Sequence, residues 1–466
     1  MTRFPFWEKQ ILEKLYKPVD GSSLAVFRIL FGLLMCAGSL RFMAEGWIEP
    51  VFTEPKFYFR YPFFSWVKPW SASGMYLHYS LQAFFALLIA VGLFYRLSLF
   101  LFFILFSYAQ LIDVTNYLNH YYLVILLCIL IFPMPLAKLW SLDAYLKKRK
   151  GKSEASYISY GWILILRLQL CIVYVSAALA KTGEDWLLYA QPMNIWMSSR
   201  NEIWLIGPFL DEIWLAYFLS WGGFLYDLTI SFFLLKPFTR LYAYFMVCIF
   251  HFFTGVFFDI GLFPWIMTFS TLLFFDPDWP KRFLNKAFKA GQNFNDSSAV
   301  EKNQLDLLRT KFFPYLFVIF FTIQIFLPVR SYLLYGGNVL WHEQGMRFSW
   351  RVMVREKSGS IIYKASSRNL SKSWEINPGR YLNLRQEAEF SGQPDLILQL
   401  AKKIEKDFHE QGIKDIEIRV EARVSLNGRK PSLLIDPNVD LTKLKDSILP
   451  AEWILPAPKE AASRLN

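Results

Sequence analysis

The stretch "GWILILRLQLCIVYVSAALAK", residues 161–181, is apolar over almost its whole length. A helix needs roughly 20 such residues to cross the hydrocarbon core of a bilayer, so this stretch predicts a transmembrane helix. It ends on Lys181, just before "TGEDWLLYA" (182–190). A lysine in this position is either an anchor whose amine reaches out to the membrane interface or an amine kept in apolar surroundings for its chemistry.

The rest of the chain has the same character. Of its 466 residues, 54% are hydrophobic and 19% are aromatic, which exceeds what a soluble domain uses to fill its core. We therefore predict a mainly α protein: a polytopic bundle of about eight or nine transmembrane helices over residues 1–330, followed by a small α+β domain over 331–466. The further apolar segments are 22–43, 74–94, 97–112, 119–137, 212–235, 241–259, 261–275 and 312–330.

The net charge of +12 comes largely from short loops between the apolar segments. Such loops face the cytoplasm in membrane proteins, so the charge indicates topology and contact with membrane lipids, and not nucleic acid binding. It predicts a cytoplasmic N-terminus, with the C-terminal domain and the loops 44–73, 113–119 and 182–211 on the opposite face. The basic loops are "KLWSLDAYLKKRKGK" (138–152), "KPFTR" (236–240) and the scattered Lys and Arg of 280–311.

Patterns typical of a small α+β domain begin near residue 345. We predict strands at "RFSWRVMV" (347–354), "SIIYKA" (360–365) and "IEIRVEARVSL" (416–426), the last because apolar and polar residues alternate along it. The segment "DLILQLAKKIEKDFHE" (395–410) places apolar residues four apart, which predicts an amphipathic helix. Asn427-Gly428 is typical of a hairpin turn, after which "PSLLIDP" (431–437) returns.

Ionisable residues at membrane depth are costly and are candidates for function. His120, Lys181 and His251 stand in the outer half or the middle of their predicted helices, where they could line one cavity. Each has a structural alternative: an interface anchor for Lys181, a bond to a loop carbonyl for His120, and a bond between helices for His251. Asp227 is either a partner for a cation or the cap of a kink after Gly222-Gly223.

Other polar residues in the apolar segments have simpler interpretations. Arg28 and Arg167 are expected to be interface anchors, and the four cysteines small buried hydrophobic residues. No metal site is expected, because His120 and His251 lack companion ligands at helical spacing. Composition and periodicity therefore predict a polytopic protein with a polar outer cavity. The four cysteines are Cys36, Cys128, Cys171 and Cys248.

Four stretches of the membrane part occur in a specific order: "DGSSLAVFRILFG" (20–32), "DVTNYLNHYYL" (113–123), "YVSAALAKTGEDW" (174–186) and "FHFFTGVFFDIGLFPW" (250–265). The soluble part adds "LPVRSYLLYGGNVLWHEQGMRFSWRVMV" (327–354) and "LLIDPNVDL" (433–441). Together they resemble the vitamin K-dependent γ-carboxylase family and its bacterial relatives, which share the horizontally transferred transmembrane (HTTM) domain. The resemblance covers nearly the whole chain.

The resemblance implies roles for particular residues. Lys181, followed by Asp185-Trp186, matches the catalytic base of the family, and His120 and His251 match its further catalytic positions. Residues expected near the cofactor are Asn119, Trp186 and Asp227. Those expected near the glutamate substrate are Trp341, Phe348 and Trp350.

The same resemblance implies reduced vitamin K, a hydroquinone of the menaquinol or phylloquinol type, with dioxygen and carbon dioxide as co-reactants. Oxygenation to the epoxide would drive carboxylation of a glutamate in a protein or peptide. The base must be an uncharged amine, which desolvation favours. We therefore expect apolar neighbours around Lys181, no carboxylate facing it, and Glu184 and Asp185 turned away.

Departures from the animal enzymes leave two alternatives to the full reaction. Animal carboxylases continue beyond this chain and carry a luminal disulfide, for which Phe59 occupies one matching position, so we expect a bacterial inner-membrane protein with a periplasmic C-terminal domain. One alternative is a vitamin K hydroquinone epoxidase without carboxylation. The other is a non-catalytic quinone- or lipid-binding membrane protein. A transporter ranks lower, since no inverted repeat is visible.

Overall fold

A computed structural model describes residues 13–152, 156–204, 206–258, 260–288, 312–447 and 449–459. Within these residues, nine apolar helices occur where the sequence predicts them, which confirms the mainly α membrane fold. They are α1 (Ser22–Ala44), α2 (Ala72–Val91), α3 (Tyr95–Leu111), α4 (Asn119–Ile131), α5 (Tyr160–Ala180), α6 (Ile213–Leu235), α7 (Arg240–Phe257), α8 (Phe263–Thr271) and α9 (Phe312–Leu334).

Six of these helices are long and apolar enough to cross a membrane, while α3, α4 and α8 are shorter. The closest approach joins α1 to α2. A Cβ atom on Gly32 would lie 2.5 Å from the backbone nitrogen of Ala90, so only glycine fits at this crossing. Small residues at helix crossings are typical of membrane bundles, because packing rather than water exclusion holds the helices together.

Three buried arginines bind the last carbonyls of neighbouring helices. Arg28 donates to the carbonyls of Ile89, Ala90, Leu136 and Trp140, and it is fully buried. Arg167 donates to the carbonyls of Leu273 and Phe275, and Arg240 to that of Leu234. Ile89, Ala90 and Leu234 lie in the last turns of α2 and α6, and the other carbonyls lie in the segments that follow α4 and α8. The guanidinium groups therefore bind backbone oxygens near the ends of helices. The prediction that Arg28 and Arg167 are interface anchors is wrong.

Short elements connect the long helices. Strands β1 (Pro18–Asp20) and β2 (Tyr157–Ser159) pair antiparallel beside the start of α5. All four cysteines are free. The short helices of the connecting segments are Leu142–Arg149, Glu184–Leu187, Met193–Ser198, Gly207–Leu210, Trp279–Phe288 and Val339–His342.

The C-terminal region folds as an antiparallel sheet of β3 (Lys357–Ser367), β4 (Lys372–Ile376), β5 (Ile416–Leu426) and β6 (Ser432–Leu433). The strand order is β4-β3-β5-β6, and two helices pack on the sheet. The predicted strands at 360–365 and 416–426, the helix at 395–410 and the turn at Asn427-Gly428 are confirmed. The predicted strand at 347–354 is wrong, because Phe348, Trp350 and Met353 have positive φ and the segment turns repeatedly. The two helices are α10 (Leu384–Phe390) and α11 (Pro394–Glu410).

All three loops predicted to share one face contact this C-terminal region. The side chain of Asn383 donates to the carbonyl of Pro50, and that of Gln386 to a carboxylate oxygen of Asp113. The third loop is bound through Asp185, as described below. Phe59 is buried here and stacks on Phe390, with ring centroids 5.8 Å apart. Apolar packing at Phe59 therefore helps to join the two regions.

Candidate functional site

Lys181 follows the last residue of α5, but its side chain turns back into the bundle. Its amine lies 3.4 Å from the carbonyl oxygen of Ala177, one helical turn earlier, and only 6% of the residue is exposed. A lysine at the end of a membrane helix usually extends its amine towards water. The structure therefore argues against the interface-anchor interpretation.

The amine of Lys181 is paired with a carboxylate. Its Nζ lies 2.8 Å from Oδ2 of Asp227, and both side chains are buried. The expectation that no carboxylate faces this amine is wrong, because α6 places Asp227 directly opposite the end of α5. Of the two interpretations of Asp227, the partner of a cation is confirmed, since α6 runs without a break from Ile213 to Leu235.

Trp186 covers the other side of the amine. The Nζ of Lys181 lies 5.3 Å from the centre of its ring, within the range of a cation–π contact. Its indole N–H donates to the carbonyl of Ser220 on α6 at 2.7 Å. The two acidic residues of the same loop face away, as expected: Glu184 is exposed, and Asp185 binds Arg429 of the C-terminal region.

His251 lies in a group of buried aromatic residues next to this pair. Its Nε2 is 3.4 Å from the hydroxyl of Tyr174, which lies one helical turn before Ala177 on α5. Its ring also contacts that of Tyr226, the residue before Asp227, at a centroid distance of 6.3 Å. Among the described residues, Nδ1 of His251 is buried without a hydrogen-bond partner, and the buried hydroxyl of Tyr226 meets the side chain of Tyr174.

His120 reaches the same group through one phenyl ring. The ring of Phe263 lies 6.1 Å from that of His120 and 5.7 Å from that of His251. His120 is buried against Tyr121, and no hydrogen bond reaches its imidazole from the described part of the chain. The loop-carbonyl interpretation of His120 therefore has no support. Both histidines therefore pack against the ring of Phe263.

Asn119 precedes His120 and holds the C-terminal region in place. Its amide donates to the carbonyl of Arg351 at 3.3 Å and accepts from the hydroxyl of Tyr117 at 3.1 Å. That same hydroxyl accepts the backbone N–H of Phe348 at 2.8 Å. Asn119 thus acts on the backbone of the segment that carries Phe348 and Trp350.

Phe348 and Trp350 insert between the helices. The Phe348 ring packs on Tyr117 and Tyr122, and the Trp350 ring lies 5.0 Å from that of Tyr122. Trp350 is fully buried in the core of the helix bundle. Trp341 does not join them: it lies in the core of the C-terminal region, where its indole donates to the carbonyl of Leu455.

A cavity of about 860 Å³ opens on the outer side of Phe348. The loop after α1, the end of α9 and the C-terminal region line it together. Its charged residues balance, with four cations and four carboxylates beside His342. These are Arg60, Arg330, Arg347, Lys445, Glu343, Asp395, Asp446 and Glu452. Its volume falls in the range of pockets that bind small molecules or peptide side chains.

Sequence reasoning missed Tyr174 and Tyr226, which link Lys181 and Asp227 to His251. Helical spacing offered a signal, since Tyr174 lies seven residues before Lys181 and Tyr226 is adjacent to Asp227. It also missed His78, inside the predicted segment 74–94. That histidine is fully buried and bonds the carbonyl of Leu105. No cluster able to hold a metal ion occurs in the described ranges.

Comparison with known families explains the arrangement. A family model described as the HTTM domain matches residues 16–279, more than half of the chain, and the chain belongs to this family of membrane proteins. A second model, described as the lumenal domain of vitamin K-dependent gamma-carboxylase, matches residues 309–460. The two matches together make the chain a relative of the vitamin K-dependent gamma-carboxylases. No solved structure matches it.

Proposed function

We propose that the protein oxygenates reduced vitamin K to its epoxide and couples this reaction to the carboxylation of glutamate in a protein or peptide. The observation that carries the proposal is the buried Lys181–Asp227 pair beside His251 and Tyr226. When bound, the quinol would supply, with dioxygen, the strong base that removes a γ-proton of glutamate before carbon dioxide adds. The chain's own residues need only bind the quinol, move one proton and exclude water.

The pair Lys181–Asp227 suits the movement of one proton. In apolar surroundings, the ion pair and the neutral pair are closer in free energy than in water, because burial penalises both charges. A proton that passes from Nζ of Lys181 to Oδ2 of Asp227 leaves an uncharged amine. This amine can accept the proton of a quinol hydroxyl. Asp227 keeps the proton that Lys181 released, so no bulk water is needed to accept it.

The polar groups near the pair fit a quinol. Its two oxygens each donate and accept hydrogen bonds, and Nδ1 of His251 is a buried group in need of such a partner, beside the buried hydroxyl of Tyr226. His120, across Phe263, is a candidate for the second oxygen or for the negative charge that forms there. Trp186 shields the amine from the outer solvent.

The substrate side would lie at the outer end of the bundle. Phe348 stands between the 860 Å³ cavity and the helices, and Trp350 continues inward from it. A glutamate side chain that enters through the cavity would pass Phe348 on its way to the quinol. We also propose that this face is periplasmic in a bacterial inner membrane, as the basic loops of the opposite face suggest.

The proposal is tested with purified protein in lipid nanodiscs, reduced vitamin K and oxygen. Wild type should produce the epoxide, and Lys181→Ala should reduce turnover by about 10²-fold or more, as loss of a general base does. Lys236→Ala is the matched control, because Lys236 also follows a membrane helix but is exposed. No epoxide from wild type, or equal rates in Lys181→Ala, would reject the assignment.

Carboxylation is tested separately. Labelled bicarbonate and a glutamate-containing peptide should give labelled γ-carboxyglutamate only when reduced vitamin K is present. Epoxide formation without any incorporation of label would reduce the function to quinol epoxidation. Saturable quinol binding without epoxide would support a non-catalytic quinone-binding protein instead.

A further inference from the structure

The turn between β5 and β6 contacts the loop that follows Lys181. The guanidinium group of Arg429 donates to both carboxylate oxygens of Asp185, at 2.7 and 2.5 Å. The amide of Asn427 donates to the same carboxylate at 2.8 Å. Asp185 lies four residues after Lys181 and directly before Trp186. We refer to Asp185, Asn427 and Arg429 as the latch.

The latch is buried and held in one geometry from the side of the C-terminal region. Asn427 is fully buried with φ +50°, and its backbone N–H donates to the carbonyl of Glu356. Its side-chain oxygen accepts the N–H of Glu356 at 2.8 Å, which leaves its amide nitrogen directed at Asp185. The carboxylate of Glu356 accepts the indole N–H of Trp196, a further residue of the same loop. A two-fold arginine–carboxylate pair in such surroundings fixes orientation as well as distance.

The latch is connected to the Lys181 amine through one residue. The backbone carbonyl of Asp185 accepts the N–H of Gln191 at 2.7 Å, so its peptide is fixed as well as its side chain. The next residue, Trp186, is held on Ser220 and covers the amine at 5.3 Å. A shift of Asp185 would move Trp186 away from Lys181 and admit water to the ion pair.

We propose that Arg429 is a positioning residue for the Lys181–Asp227 pair, acting through Asp185 and Trp186. The C-terminal region would then complete the membrane site from outside. Its effect on catalysis rests on the proposed function, whereas its effect on the loop does not. Trp186 is the residue through which the C-terminal region acts on the amine of Lys181.

General docking of the two regions does not account for the latch. Gln386 binds Asp113, Asn383 binds Pro50, and Gln399 binds the backbone of Arg60, all through the segments of α10 and α11 and not through the turn between β5 and β6. These contacts remain when Arg429 is replaced. We therefore expect a local opening of the loop 182–191, and not separation of the two regions.

Amide hydrogen exchange in nanodiscs tests the latch directly. Arg429→Ala should accelerate exchange over residues 184–188 by about tenfold and leave β5 and α11 unchanged. Arg429→Lys keeps the charge but loses the two-fold geometry, so its exchange should be intermediate. Arg419→Ala is the control, because Arg419 lies on β5, is exposed and pairs with Glu417.

Turnover gives the second readout. Arg429→Ala should lower kcat for epoxide formation about tenfold with little change in KM for the quinol, because the pair and not the quinol site is disturbed. Asp185→Asn should lower kcat similarly, and the double variant Asp185→Asn/Arg429→Ala should lose no more than either single variant.

The two proposals can fail separately. Unchanged exchange over 184–188 in Arg429→Ala would reject the latch, whatever the enzyme does. Losses in kcat that multiply in the double variant would also reject it, since the residues would then act independently. Absence of epoxide from wild type would instead reject the proposed function, while the exchange result would still decide whether Arg429 holds the loop.

Discussion

The amine of Lys181 and the carboxylate of Asp227 lie 2.8 Å apart, both buried, at the junction of α5 and α6. A buried amine and carboxylate at this distance share one proton, which lies on the amine in the ion pair and on the carboxylate in the neutral pair. Lys181 therefore does not act as an isolated neutral amine, and the two residues of the pair have to act together in the proton transfer. This relationship determines the first prediction.

Replacement of Asp227 by asparagine should slow epoxide formation. Asparagine has nearly the same size as aspartate but cannot take up the proton of Lys181, so the amine has no buried acceptor for it. We expect the maximal rate to fall by about 10²-fold, as the loss of one positioned proton-transfer group does. A wild-type rate in Asp227→Asn, measured in the same nanodisc assay, would show that Asp227 takes no part in the proton transfer.

Replacement of Tyr226 by phenylalanine should affect quinol binding more than stability. Among the described residues its buried hydroxyl meets the side chain of Tyr174, so its removal loses at most one hydrogen bond, and Tm without quinol should change little. The same change should weaken quinol binding by about tenfold, the value of one hydrogen bond. Both are measured by thermal shift with and without quinol. A lower Tm together with unchanged quinol affinity would assign the hydroxyl a structural role.

Loss of the Arg28 guanidinium should destabilise the bundle strongly. Arg28→Met would leave four buried carbonyls without their donor, and we expect a loss of about 3–5 kcal/mol, seen as a large fall in Tm. Arg41→Met, on the same helix, is the control, because Arg41 is half exposed and pairs with Glu45 at the surface. Similar Tm values for the two variants would contradict the capping role.

Lys357 should make stability depend on pH in the C-terminal region. Burial lowers the pKa of Lys357 to about 8, although Glu343 lies 3.1 Å from its amine. Between about 8 and the ordinary 10.5, the unfolded chain binds this proton and the folded chain does not, so stability rises with pH through that window. The slope is at most about 1.4 kcal/mol per pH unit. The Tm of wild type minus that of Lys357→Met should therefore increase from pH 8 to 9.5, and a constant difference would contradict the burial effect.

The sequence predicted the membrane architecture because apolar length and loop charge are local properties. All nine helices lie where these patterns place them. The segment 347–354 was predicted wrongly because its apolar residues are buried in successive turns, with Phe348 and Trp350 at positive φ, and not in a strand. Such turns are fixed by tertiary contacts to Tyr117 and Asn119, which no local pattern encodes.

The candidate site was predicted only in part. His120, Lys181 and His251 were recognisable because charged or imidazole groups are rare at membrane depth. The pairing of Lys181 with Asp227 depends on the relative rotation of α5 and α6, and on a side chain that turns inward at a helix end. The arginines were misassigned for the same reason, since position near a helix end does not reveal which carbonyls a guanidinium group will meet.

Trp350 belongs to the C-terminal half of the chain but is buried among the helices, as large a side chain as any in their core. Without the C-terminal half, the bundle would contain a cavity the size of an indole ring. On the separated C-terminal half, the apolar side chain of Trp350 would be exposed to solvent. The two halves are therefore coupled through this ring, and an exchange of either half has to preserve the surface that receives it.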